Sequence, residues 1–210
     1  MIYVDDTTIR QWLEKRAKDE ADRVFCIYED VPITYGEIEE KVNRLANGFL
    51  DLGFRRGDRI AIMIPNHPDF FFMVFACAKV GLTYIPLNTN LKGANLDLLL
   101  QLSDPRALLV DESFADIIAE SLRRVGLNNI KFIFTRGNAD FSETGIAHQL
   151  PFSSVGADAE ATPPIVPGAG PEDVLAISYT SGTTGVPKGV LLTDRMLRTC
   201  AKGAAIANEA

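Results

Sequence analysis

Cysteine is scarce in this chain and is not arranged for metal work. Cys26, Cys77 and Cys200 lie far apart, and no C-x-x-C pair occurs. That spacing argues against a zinc site and a disulfide framework, and points to reduced thiols in a cytoplasmic protein. Basic excess is also missing. Lys and Arg number 21 against 28 Asp and Glu, a formal charge of -7. Binding to nucleic acid without regard to sequence needs a basic footprint, so that partner class is excluded, although one local phosphate site is not. Long apolar runs are absent too. The most apolar stretch, Phe70 to Ala78, stops at Lys79 and is too short to span a bilayer. The start M-I-Y-V-D-D-T-T lacks the basic flank of a signal peptide. Histidine occurs twice, as His67 and His148. Neither has a recognisable Ser, Cys or Asp partner, so core or surface roles are expected for both.

What is present is ample apolar material, 47% of 210 residues, enough for one large domain. Asp6 or Thr7 is placed to cap a first helix with Ile9, Leu13 and Ala17 on one face. V-F-C-I-Y (24–28) reads as a strand. Thr34-Tyr-Gly-Glu37 is a capping box, followed by Ile38, Val42, Leu45, Phe49 and Leu52 at helical spacing, and Gly53 is a natural stop. Strands at 59–64, 83–87, 107–110 and 130–134 then alternate with helices at 67–80, 93–103 and 112–125. Such alternation implies β-α-β crossovers and an α/β fold, with largely parallel sheets covered by helices on both faces. The phenylalanines from Phe70 to Phe75 are expected to be the packing of a doubly buried helix rather than the wall of a fatty-acid site.

Three stretches follow: a β/α core over 1–136, a loop-rich connection over 137–172, and a strand, loop, strand and helix over 173–210. The middle stretch is rich in Pro, Gly, Ala and acids, although Ile146 to Phe152 is placed to pack locally. Lacking periodic apolar residues, it is expected to be the most mobile internal segment. Strands are predicted at 174–179 and 189–193, and a helix at 194–208.

Between those two strands lies the stretch that carries chemistry, I-S-Y-T-S-G-T-T-G-V-P-K (177–188), with Gly189 next. Gly182 and Gly185 let backbone N–H groups turn toward one anion. Ser181, Thr183 and Thr184 add small hydroxyl donors, and Lys188 adds a mobile positive charge. A plain Gly/Thr turn with a surface lysine is the bland alternative. The Walker A loop is the functional rival, and it fits poorly. Pro187 precedes the lysine, Gly189 supplies no hydroxyl for Mg, and V-L-L-T looks like a strand rather than a helix. The expectation is therefore a phosphate grip between two strands.

All twelve positions from Ile177 to Lys188 resemble the signature loop of the AMP-forming adenylating enzymes, which include acyl-CoA synthetases, luciferases and nonribosomal adenylation domains. P-I-T-Y-G-E-I-E-E-K-V-N-R-L-A, G-D-R-I-A-I-M-I-P-N and K-V-G-L-T-Y-I-P-L-N-T-N-L are similar to that family's amino-terminal half, so the resemblance runs from roughly 30 to 210. It implies a first subdomain of an acyl-CoA synthetase-like fold. It also implies ATP, Mg, CoA and a small-molecule carboxylate as ligands of the complete enzyme, which activates the acid as acyl-AMP and then forms the thioester. Thr180, Ser181, Gly182, Thr183, Thr184, Gly185 and Lys188 would hold phosphate. Lys188 would offset charge on the leaving pyrophosphate, and Thr180 would lie near Mg.

Two departures stand out. Family members often carry T-H-x-N after the second strand, whereas here Thr193 is followed by Asp194-Arg195-Met196. The family's later parts, which hold adenine and ribose and supply a second lysine, match nothing in the sequence. The fragment is therefore expected to be inactive by itself and to self-associate through surface that those parts would cover. A non-catalytic nucleotide-binding or interaction remnant is the alternative reading.

Overall fold

Successive residues of a strand leave on opposite sides of its sheet, and in this protein that alternation builds two cores. The computed structural model describes residues 7–126, 129–180 and 187–209. A hairpin of β1 (Val24–Tyr28) and β2 (Val31–Thr34) stands apart from the main sheet. The main sheet comprises β3 (Arg59–Met63), β4 (Thr83–Pro86), β5 (Ala107–Asp111), β6 (Phe132–Arg136), β7 (His148–Pro151), β8 (Val174–Thr180) and β9 (Lys188–Thr193). Its spatial order is β7-β6-β5-β3-β4-β8-β9, with every neighbouring pair parallel except β8 with β9. Ile60, Ile62, Leu109, Phe132 and Phe134 point to a core under α1 (Ile9–Asp19), α2 (Tyr35–Asp51) and α3 (Pro68–Val80). Their neighbours Ala61, Met63, Leu108, Val110 and Ile133 point the other way, under α4 (Gly93–Ser103) and α5 (Ala115–Val125). The expected α/β architecture, with a mostly parallel sheet between helices, is the one observed.

Local chemistry sets the helix ends. Thr34 caps α2 with Glu37 reaching back, as its sequence predicts. The first helix differs by a residue or two: Thr8, not Asp6 or Thr7, is its cap, and Gln11 closes the box. Glutamine serves because its amide oxygen accepts from the Thr8 N–H as a carboxylate would. The helix expected over 112–125 opens with a 3-10 turn at Glu112–Phe114, since Asp111 caps Ser113 from the strand end. Three helices meet around Lys79, which is fully buried and pairs with Glu14 at 3.1 Å and Glu39 at 2.9 Å.

Two expectations need correction. The phenylalanine run of α3 is not buried on all sides. Phe72 and Phe75 enter the core, but Phe71 is 44% exposed, because α3 has the sheet on one side only. The connection at 137–172 also contains β7, which extends the sheet beside β6, and Phe141, Phe152 and Val155 are buried. Asn43, Arg44 and Asn47 of α2 donate to the carbonyls of residues 159–162, fixing the connection across that helix.

Candidate active site

Parallel strands bring their carboxyl ends to one edge, where α/β proteins bind ligands. β4 and β8 arrive there side by side, and Pro86 decides how far they pair. The Thr83 and Leu87 N–H groups donate to Asp58 and Ile62 on the β3 side. Backbone donors alternate along a strand, so those of residues 84 and 86 face β8. Proline has no N–H to give. Pairing of β4 with β8 is recorded only at Tyr84 and Ala176. Beyond it the strands part around a cavity of ≈ 830 Å³, lined by Pro86, Leu87, Asn88, Leu91, Asn95, Leu99, Ser178, Tyr179, Thr180 and Pro187.

β8 then continues into the hairpin with β9. Thr180 and Lys188 are directly opposed across it, and both are exposed. The Thr180 hydroxyl lies 3.5 Å from the Lys188 carbonyl oxygen, a weak contact that leaves its lone pairs accessible. The lysine thus starts a strand, not a helix, as the failed Walker A fit requires. Ser181, Gly182, Thr183, Thr184 and Gly185, the remaining predicted phosphate ligands, lie outside the described residues.

Gly189 has a packing reason that the sequence does not reveal. A Cβ there would stand 3.1 Å from the Ile177 methyl and 3.3 Å from the Tyr179 ring. Those two side chains pack beside the α4–α5 core. Burial raises the Tyr179 phenol above its ordinary pKa, with the Arg59 charge opposing, so the ring enters the site neutral.

Asp194, where a histidine was noted as frequent in the resembling family, has a structural task. It begins α6 (Asp194–Glu209) and is 4% exposed. Its two oxygens lie 3.1 and 3.0 Å from the Ile9 N–H, so the carboxylate receives the amino end of α1. Burial pushes its carboxyl up to about 6, against the Ile9 bond and the Arg198 charge, which favour ionisation.

His67 also differs from expectation, because it does have an Asp partner. Its Nδ1 lies 3.1 Å from the Asp69 carboxylate and accepts from the Asp69 N–H at 3.1 Å. Asp69 also receives Arg136, 3.2 Å away, and Arg136 reaches Asp111 at 2.5 Å. This network lies at the carboxyl ends of β3, β5 and β6, away from the β8–β9 hairpin. His148 starts β7 and stacks on Phe132 with centroids 4.9 Å apart, a packing role. No helix among the described residues is long and apolar enough to cross a membrane.

The AMP-binding enzyme family matches residues 13–209. A crotonobetaine/carnitine–CoA ligase of Salmonella enteritidis PT4 is 32% identical over 203 residues, covering 94% of this chain and 38% of the ligase. The chain therefore spans well under half the length of that relative. A fatty acyl CoA synthetase of Mycobacterium tuberculosis superposes with a TM-score of 0.70 at 28% identity, over 90% of this chain and 36% of the other. A long-chain-fatty-acid-CoA ligase of Archaeoglobus fulgidus shares the fold with a TM-score of 0.82 at 23% identity, over 100% of this chain and 41% of that one.

Proposed function

The chain belongs to the AMP-binding enzyme family, and from that premise we propose that it forms the amino-terminal portion of an ATP-dependent carboxylate–CoA ligase. The observation that carries this reading is the hairpin: Thr180 and Lys188 face each other at the mouth of the signature loop, beside the cavity that Pro86 opens. An exposed ammonium and an accessible hydroxyl suit a triphosphate entering from solvent. Lys188 binds phosphate oxygens and neutralises charge on the departing pyrophosphate. Ser181, Gly182, Thr183, Thr184 and Gly185 wrap the same phosphates with N–H and O–H donors.

Thr180 offers one neutral oxygen, a donor of the hard kind that Mg accepts alongside substrate phosphates. When bound, Mg would supply charge neutralisation for the triphosphate. The complete protein would use ATP, CoA and a small-molecule carboxylate. The 210-residue chain alone binds ATP weakly and does not adenylate acids, because transition-state stabilisation needs groups that meet the α-phosphate and the nucleoside as well.

The test has two arms. Binding of Mg-ATP or Mg-pyrophosphate to the chain, measured by calorimetry, is expected to be weak and to fall about tenfold in Lys188→Ala, the loss of one charge-assisted bond of roughly 1.5 kcal/mol. Carboxylate-dependent exchange of labelled pyrophosphate into ATP is expected to be absent. Binding that ignores Lys188 would remove the phosphate-grip reading, and exchange by this chain would show that it is catalytically self-sufficient.

A further inference from the structure

A second cavity lies on the opposite side of the sheet from α4 and α5. Its volume is ≈ 640 Å³, and it opens at the carboxyl ends of β6 and β7. α2 contributes Lys41 and Arg44, His67 caps α3, the first turn of α3 contributes Asp69, and β6 contributes Arg136. Three cations therefore line it with one carboxylate in the wall, while Asp111 and Glu40 pair with Arg136 and Arg44 from outside the lining.

The cations are held rather than loose. Arg136 is anchored by Asp111 and Asp69. Lys41 sits over the Phe72 ring, 4.1 Å from its centroid, and 3.7 Å from Asp69. Arg44 donates to the Ala159 carbonyl at 2.7 Å and also contacts Glu40. His67 stands at the rim, its Nδ1 held 3.1 Å from both the Asp69 N–H and one Asp69 carboxylate oxygen. Burial holds the His67 imidazole below its ordinary pKa. Arg136 and Lys41 push it the same way, and Asp69 and Glu29 oppose them. Tyr28 packs edge-on against its ring.

We propose that this cavity is a second ligand site that takes the phosphate group of a small metabolite. Preplaced cations around a concave wall lower the cost of ordering side chains on binding. Guanidinium and ammonium groups arranged around a concave wall beside an imidazole match a tetrahedral dianion better than a flat carboxylate. The site is separate from the β8–β9 hairpin and does not rest on the ligase reading.

The chain's two histidines make the test direct. Inorganic phosphate is titrated at constant ionic strength while both imidazoles are followed by NMR. Saturable movement of the His67 signals is expected, with a midpoint on the order of 1 mM and a rise in the His67 pKa. His148, at the amino end of β7, is expected to stay still. Lys41→Gln, at a residue whose side chain is 56% exposed, is expected to weaken binding about three- to tenfold. Arg44→Gln provides the same reading if that variant fails to fold. The proposal is overturned if His67 does not move, if both histidines move together, if acetate acts as strongly as phosphate, or if both variants bind as the wild type does.

Discussion

Replacing Asp194 by Asn should make the protein more stable at neutral pH, and the gain should vanish in acid. The carboxyl is 4% exposed and its pKa is raised from 3.8 to about 6, chiefly by burial. That difference corresponds to about 3 kcal/mol. A raised acid has a definite sign. Between about pH 4 and 6 the folded chain holds a proton that the unfolded chain has released. Stability from this group therefore falls as pH rises through that window, then levels off. Asparagine keeps an oxygen for the Ile9 N–H but carries no charge to desolvate. The variant should gain about 2–3 kcal/mol over wild type at pH 7.5 and nothing at pH 4. The difference between the two proteins is the proper readout, because Glu37, Asp97 and Asp111 have lowered values and lose stability as pH falls. Urea unfolding can be followed through Trp12, the only tryptophan, which lies in α1 and stacks on Phe75. Parallel pH profiles for the two proteins would refute the argument.

Gly189→Ala should reduce stability by about 1–3 kcal/mol, since Ile177 and Tyr179 must move to admit a methyl; thermal unfolding measures it. Lys79→Met should cost about 3–5 kcal/mol by leaving Glu14 and Glu39 without their buried cation, and Glu39→Gln added to it should recover part of the loss in the same assay. Limited proteolysis should cut near Ile165, which is 87% exposed, before it cuts near Phe152 or Val155, both buried; early cleavage at 54–66 would contradict this order. β9 is an edge strand, with Val190 44% and Leu191 57% exposed, so sedimentation should detect association at tens of micromolar, and Leu191→Lys should reduce it.

The alternation of strands and helices was legible because each element carries its own period, and Thr34 with Glu37 announced α2 within four residues. The β8–β9 hairpin was legible for a similar reason: Gly189 and V-L-L-T are local signals. β7 was not. H-Q-L-P has one strongly apolar residue and ends in proline, and it is a strand only because β6 offers an open edge. β2, V-P-I-T, was missed as well, and it is held by pairing with β1. The cluster of Asp69 with Arg136 joins residues 67 apart, and Ile9 meets Asp194 across 185 positions. No local pattern encodes such meetings. Pro86 was visible as a residue, but its effect depends on which strand lies beside it.

That proline also bears on how the chain is made. β4 is complete long before its outer neighbour exists, for Thr83 and its partner Val174 are 91 residues apart. At a synthesis rate of about 5–20 residues per second, the wait is roughly 5 to 20 s. During it, a short apolar strand stands with one edge unclaimed, in a setting where stray chains can add to it. Of the two donors that edge would offer, proline supplies none and Tyr84 supplies one, so a ribosome-bound intermediate presents a poor template to its neighbours. The residue that parts β4 from β8 in the finished protein guards β4 in the unfinished one.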